Sequence, residues 1–315
     1  MSRRGTIAAG LSVPWVAWAL VRGLGLDLAY PVVPAMAFTP YVAASSFVPV
    51  VVALALRRWI VGAVALVAAL VLAAAVLPRA IDGPHVAGAG TRGRTVVVMT
   101  SNLLLGHADA GTLVRLVREH HVDVLALEEL TPEGARNLDR AGIRRLLPQR
   151  VLEPRSAAAG SGLMTRGRVH RVPTTETGPL ASPEGALRLP DGVLLRVKVV
   201  HPIPPISAAS TATWRRTLER LPGPREAAVP RILIGDFNGT LDARAVRHVL
   251  DRGFYDAADA TGDGLRATWP VNRPRPMITI DHVLLPDRIL TRKVSVYDVP
   301  GSDHRTLIAE VVLPT

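Results

Sequence analysis

Cysteine is absent from this chain, which excludes disulfides and thiolate chemistry and leaves either side of a membrane open as its compartment. Lysine is nearly absent too: of 37 basic residues, only Lys198 and Lys293 are lysine. Aromatic residues make up 4%, and no basic run is interleaved with them in the manner of a nucleic-acid-binding face. Internal repeats and low-complexity tracts are missing, so a solenoid is excluded. Charge is missing from three long stretches, residues 5–21, 28–56 and 59–78.

A membrane-crossing helix needs about 20 apolar residues. The second and third uncharged stretches meet that length, and the first, with Trp15 and Trp18, approaches it. Three such segments in series exceed the single apolar region of a signal peptide. Pro31, Pro34, Pro40 and Pro49 interrupt the second, which is tolerated where neighbouring helices satisfy the freed carbonyls. About three transmembrane helices are therefore expected within residues 1–79. Arg3 and Arg4 precede the first, and Arg57 and Arg58 separate the second from the third. Cytoplasmic loops carry excess positive charge, so both pairs are expected inside. Three crossings then place everything after Arg79 outside, in a multi-pass protein of the cell membrane.

Residues 80–94, rich in Gly and Ala, read as a linker. Residues 95–315 are enough for a full core. Within them, apolar runs at 95–105, 122–127, 160–165, 193–200, 231–234, 279–285 and 307–312 read as strands. Asp109 is a plausible cap for a helix burying Leu113, Leu116 and Val117, and Asp242 for one burying Val246 and Val249. Strands outnumber helices and arrive both in pairs and singly, which suggests two packed sheets with helices outside.

The chain's centre is RILIGDFN, residues 231–238. Gly235 permits a tight bend at the strand end, and Asp236 and Asn238 leave it together. A carboxylate accepts a proton from water, and an amide orients that water or a phosphate oxygen. An Asx turn is the bland alternative. Other strands end in the same chemistry: Asn102, Glu129, His201, Asp281 with His282, and the run Ser302, Asp303, His304. Functional groups gather on loops at one rim of a rigid sheet. Oxygen ligands without thiols favour Mg²⁺, or Mn²⁺, over zinc. Such an ion offsets phosphate charge, and two imidazoles steady its oxygens, so the set suggests in-line attack of water on phosphorus. Trp214 and Trp269 read as core, with the lining of a lipid or sugar groove as the alternative, His282 as packing or facing solvent, and Arg266 and Arg273 as weak phosphate-binding candidates.

SNLL, DVLALEEL, GSGLMTR, the VVHP strand end, GDFN, ITIDHVLL and GSDHR occur in this order over residues 95–315. The series resembles the endonuclease/exonuclease/phosphatase superfamily. The resemblance implies a four-layer α/β-β/α sandwich with its active site at one rim. It implies Glu129 as the main metal ligand, with Asn102 close to the metal and Asp303 at the metal side. It implies Asp236 activating water and Asn238 holding that water or a phosphate oxygen. His304 would contact the phosphate with Asp281 orienting it, and His201 would be the second imidazole. Glu128 stands where many members have Gln, so the choice between Glu128 and Glu129 stays open. Leu103 and Leu104 stand where the DNA-repair branch has an acidic residue.

HPIPP and ATWP…IDHVLL are similar to a membrane-anchored bacterial subgroup linked to teicoplanin resistance. That resemblance implies an integral membrane phosphohydrolase or phosphodiesterase of the cell envelope. Its substrate would be a polyprenyl diphosphate or another lipid-linked or small phosphoester. An extracytoplasmic nuclease is the alternative within the fold, and a non-catalytic domain binding a head group is the alternative outside it.

Overall fold

Alternating and continuous apolar runs after residue 93 condense into two six-stranded sheets in a computed structural model, which describes residues 3–88, 90–173, 178–224, 229–271 and 278–313. Five helices come first: α1 (Arg3–Leu24), α2 (Val32–Ala35), α3 (Thr39–Ser45), α4 (Phe47–Ala55) and α5 (Trp59–Val76). The strands, in chain order, are β1 (Arg94–Asn102), β2 (Val124–Glu128), β3 (Gln149–Glu153), β4 (Ser161–Thr165), β5 (Arg168–Arg171) and β6 (Glu184–Arg188). They continue with β7 (Leu194–Val200), β8 (Arg231–Asp236), β9 (Phe254–Asp256), β10 (Asp281–Pro286), β11 (Leu290–Asp298) and β12 (Arg305–Leu313). One sheet has the order β11-β12-β1-β2-β4-β3 and the other β5-β6-β7-β8-β10-β9.

Strand side chains alternate, so each sheet has two faces to bury. Val98, Val124, Ala126, Val197, Val199, Ile232 and Ile234 interdigitate between the sheets. The outer face of the first sheet is covered by α6 (Ala110–Glu119) and α7 (Pro132–Ala141), through Leu113, Leu116, Val117 and Leu138. The next helices are α8 (Ile143–Leu146), α9 (Ala208–Glu219), α10 (Arg244–Leu250) and α11 (Ala257–Ala260). Of these, α9 and α10 cover the second sheet through Trp214, Leu218, Val246 and Val249. This is the four-layer α/β-β/α sandwich expected from the motif order. Asp109 caps α6, accepting the Thr112 N–H at 2.7 Å. Asp242 does not cap a helix: Ala243 precedes α10, and the Asp242 carboxylate is spent on two arginines described below.

Two helical stretches of 22 residues, Arg3–Leu24 and Trp59–Ala80, are long and apolar enough to cross a membrane. Between them, Val32–Ser45 and Phe47–Ala55 pass the same test only as a pair, bent by 42°. The prolines account for the break. Pro34 lies within α2, Pro40 in the first turn of α3 and Pro49 in the first turn of α4, where a missing N–H costs least. Indole N–H groups tie the break to α1: Trp18 donates to Thr39 at 3.0 Å and Trp15 to Ser45 at 3.1 Å.

The two straight stretches end at one acid of the sandwich. Arg79 donates two hydrogen bonds to Asp242, at 2.8 and 2.9 Å, and Arg22 a third at 2.8 Å. Both therefore run toward the sandwich, and the bent pair carries the chain back between them. Residues 82–88 run along the sandwich, held by Gly83 N–H to Ala260 O at 2.8 Å and Ala87 N–H to Thr291 O at 2.7 Å, with His85 stacked on Tyr255.

A cation is buried in the second sheet. Lys198 is 1% exposed and donates to Ser182 O at 2.9 Å, near Glu184, which already accepts from Arg196 and Arg231. Burial pulls its ammonium down to about 8 against the pull of Glu184. Between pH 8 and the unfolded value of 10.5, the unfolded chain binds the proton and the folded chain does not. Stability should therefore rise across that window by about 3 kcal/mol. The Lys198→Met variant is expected to lose that rise in thermal unfolding curves recorded from pH 7 to 10.5; an unchanged slope would contradict the assignment.

Candidate active site

Strand register assembles the site. β1 and β2 run parallel with Asn102 opposite Glu128, and β7 and β8 run parallel with Val200 opposite Gly235. The next residues, Glu129 and His201, thus emerge at the rim where β1 and β8 end. β10 is antiparallel to β8 with Asp281 opposite Asp236, so residues 45 apart in sequence become cross-strand neighbours. The two sheets meet at this rim: the Asn102 amide nitrogen donates to Asp236 at 3.1 Å and to Glu129 at 3.2 Å. Its oxygen accepts the Leu104 N–H.

Gly235 is required here. It adopts φ 143°, and a Cβ would lie 2.2 Å from Val200 O and 2.9 Å from a Glu128 carboxylate oxygen. Beyond it, the Asn238 N–H donates to Asp236 Oδ1 at 2.8 Å, and its side chain donates to Pro202 O at 3.0 Å. The Asx turn and the functional reading are thus the same object: the turn aims Asp236. Leu104, Leu105, Glu129 and Asn238 all hold left-handed backbone, φ between 42° and 56°; among the described residues they are four of seven non-glycine positions that do so.

Asp236, Asp281 and His304 form a buried cluster whose ligand atoms lie within 4.8 Å of one another. His304 Nδ1 is 3.0 Å from Asp281 Oδ2, and Nε2 is 3.8 Å from Asp236 and 4.0 Å from Asp303. Burial alone would discharge His304, but Asp281, Asp236 and Asp303 outweigh it and hold the imidazolium up to about 10. Burial pushes Asp236 up, with Asp281 adding to it and His304 opposing. His201 is different. Its Nε2 is 3.9 Å from Asp236, its Nδ1 has no hydrogen-bond partner among the described residues, and burial with His304 nearby lowers it to about 4. One imidazole is therefore charged and the other neutral, side by side.

The two glutamates separate cleanly. Glu128 is fully buried, accepts from Thr100 Oγ1 at 2.9 Å and is pushed well above the carboxylate range by burial and by Asp281. Glu129 lines the cavity and accepts the Leu105 N–H at 2.9 Å. Asp303 also lines it and accepts the Trp269 indole N–H at 2.9 Å. The cavity, of about 460 Å³, brings together Glu129, His201, Asp236, Asn238, Asp303 and His304. Asn102 and Asp281 stand directly behind them, bonded to Asp236 and His304.

Some roles needed the structure to decide between readings. Trp269, which the sequence favours as core packing over groove wall, forms cavity wall and anchors Asp303. His282 is buried, bonded to Asp256 at 2.9 Å and to Gly239 O at 3.0 Å, so it braces the loop after Asn238. Strand alternation was the available signal: if Asp281 faces the site, His282 points into apolar core and needs a partner. Trp214 is core, as expected, with its indole N–H on Phe237 O. Arg266 pairs with Asp263 at 2.8 Å, and Arg273 lies outside the described residues.

A four-layer sandwich with these groups at its rim has the fold of phosphatases and nucleases. The chain belongs to the Endonuclease/Exonuclease/phosphatase family, which matches residues 99–304 and whose members hydrolyse phosphate esters. Among solved structures, it is similar to an endonuclease/exonuclease/phosphatase family protein from Bacteroides thetaiotaomicron, with TM-score 0.53 and 13% identity over 71% of this chain and 100% of that one. It is also similar to a mannosyl-6-phosphatase of the same organism, with TM-score 0.50 and 14% identity over 69% and 99%. A third is a humanized D. rerio TDP2, with TM-score 0.51 and 16% identity over 69% and 98%. A comparison with curated proteins found no match.

Proposed function

We propose that this protein is a membrane-anchored, divalent-metal-dependent phosphohydrolase with an extracytoplasmic catalytic domain, acting on a lipid-linked phosphate such as a polyprenyl diphosphate. The observation that carries the hydrolytic reading is the juxtaposition of Asp236 with two imidazoles, His304 at 3.8 Å and His201 at 3.9 Å, inside one cavity. Asp236, aimed by the Asn238 N–H and the Asn102 amide, accepts the proton of the attacking water. Asn238 holds that water or a phosphate oxygen. His304, oriented by Asp281, presents positive charge to the phosphate, and the neutral His201 steadies the phosphate or the leaving group.

Glu129 and Asp303 are the carboxylates that would hold Mg²⁺ or Mn²⁺, with Asn102 joining them once its amide is turned over, since its nitrogen faces Glu129 and its oxygen the Leu104 N–H. The donor set fits a hard cation: two carboxylates and a carboxamide, with no thiol in the chain. A bound ion supplies charge neutralisation at the phosphate. Asp236, Asp281 and His304 are also close enough to share an ion, through His304 Nε2, since Nδ1 is committed to Asp281.

The anchored reading draws on the two straight apolar stretches and the bent pair. Arg3, Arg4, Arg57 and Arg58 lie at the ends of these stretches remote from Asp242, which favours a cytoplasmic location for those ends. The test is phosphate release from a long-chain polyprenyl diphosphate by the full-length protein in detergent. Release is expected with Mg²⁺ and not with chelator. Glu129→Gln is expected to weaken Mn²⁺ binding by about 100-fold, and Glu128→Gln far less. Release unaffected by chelation would discard the metal. Hydrolysis of a generic diester without polyprenyl diphosphate turnover would keep the catalytic reading and discard the lipid.

A further inference from the structure

The catalytic cavity is not built by the sandwich alone. Val33, Pro34, Ala37 and Phe38, from α2 and the turn after it, line it together with Ile206 and the six polar groups named above. Val33 also enters the core beside Trp214 and Phe237, so this wall is fixed to the catalytic domain. Three further contacts seat the preceding residues: Arg244 N–H to Asp27 at 2.7 Å, Arg244 to Gly25 O at 3.1 Å and Arg215 to Leu28 O at 2.9 Å.

The chemistry of this lining is selective. The chain has 37 basic residues, yet among the described residues no arginine or lysine lines the cavity. A polyanion such as nucleic acid is held by rows of such cations. The α2 wall offers no side-chain hydrogen-bond donor or acceptor either, so it gives a sugar head group nothing to bond. Ile206 is 73% exposed, the highest value for a large apolar side chain after residue 80 among the described residues. The wall itself belongs to the bent pair that is apolar enough to cross a membrane.

We infer that the substrate is a membrane amphiphile whose phosphate sits at His304 and Asp236 while its hydrocarbon chain runs along Ala37, Phe38 and Ile206 into the bilayer. These three residues then set the preference for chain length. The inference rests on the phosphohydrolase reading above and adds the residues that recognise the non-reacting part of the substrate.

The experiment compares two diphosphates of one head group in full-length, detergent-solubilised protein: a long-chain polyprenyl diphosphate and a five-carbon isoprenoid diphosphate. Wild-type kcat/KM is expected to favour the long chain. Phe38→Ser and Ile206→Ser are each expected to lower the long-to-short ratio roughly tenfold, the scale of a lost apolar contact in a pocket. Retention of radiolabelled long-chain polyprenyl monophosphate, measured alongside, needs no turnover and should fall in the same variants. Equal use of both chain lengths by the wild type, or variants that lose both equally, would overturn the inference. Retention that depends on Phe38 and Ile206 without hydrolysis of either diphosphate would keep the hydrocarbon path and discard the hydrolase. No retention and no turnover would remove both.

Discussion

Asp236→Asn is expected to lower turnover by about 10³-fold while leaving the fold in place, because a positioned general base typically contributes 10²–10⁴-fold. The carboxylate is 1% exposed and shares its surroundings with Asp281 and Glu128, so its negative charge is costly there. Burial raises its affinity for a proton, which suits a group that must take one from water. Asparagine keeps the oxygen that accepts the Asn238 N–H and removes the proton-accepting capacity. It relieves repulsion among buried carboxylates but sets an amide nitrogen against the Asn102 donor and removes a charge beside His304, so the midpoint of thermal unfolding should change little. The check is single-turnover phosphate release beside a melting curve. Activity within tenfold of wild type would transfer the base role elsewhere. Loss of activity together with a collapsed melting curve would point to structure instead.

The second large effect is expected far from the chemistry. Asp242 is buried and holds Arg79 and Arg22, the ends of the two straight apolar stretches. Breaking a buried ion pair from one side leaves an uncompensated charge and costs about 3–5 kcal/mol. Asp242→Ala leaves a nearly buried Arg79 with only Asp259, at 3.9 Å, and is expected to lower the unfolding midpoint by roughly 10 °C. Arg79→Leu with Asp242→Leu should recover most of that loss, since apolar residues of similar size replace a buried pair at little cost. Arg22, the more exposed partner, can turn to solvent. Asp242 lies two residues beyond Thr240, which lines the cavity, so Asp242→Ala should also reduce turnover by loosening the helical wall against the catalytic rim. A full-strength melting curve in Asp242→Ala would show that the clamp contributes little.

Much of the site was legible because its parts are local. A buried strand must stop at a loop, and a polar residue at that stop is visible in the one-dimensional pattern. Asn102, Glu129, His201 and Asp236 were each found where an apolar strand stops; Asp281, read as the end of MITI, instead opens β10, and His304 stands just before β12. The roles of neighbours were not legible, because they depend on which strand lies beside which. Glu128 and Glu129 are adjacent in sequence, yet one bonds Thr100 in the core and the other faces the cavity. Asp242 read as a helix cap because the sequence shows only its distance to α10, whereas its partners lie 220 and 163 residues away. The second uncharged stretch read as a simple span because hydropathy carries no information about tertiary contact.

Composition and periodicity by themselves determined that this chain joins an apolar N-terminal region to a two-sheet domain with oxygen and imidazole chemistry at strand ends. Both follow from local physics: uncharged length, and alternation broken by polar stops. Only the tertiary structure decided that Asp281 faces Asp236, that acidic neighbours raise His304 while burial lowers His201, and that Phe38 shares a cavity with them. Those outcomes depend on register, on burial and on the seating of α2 against the rim, which are distances between residues remote in sequence.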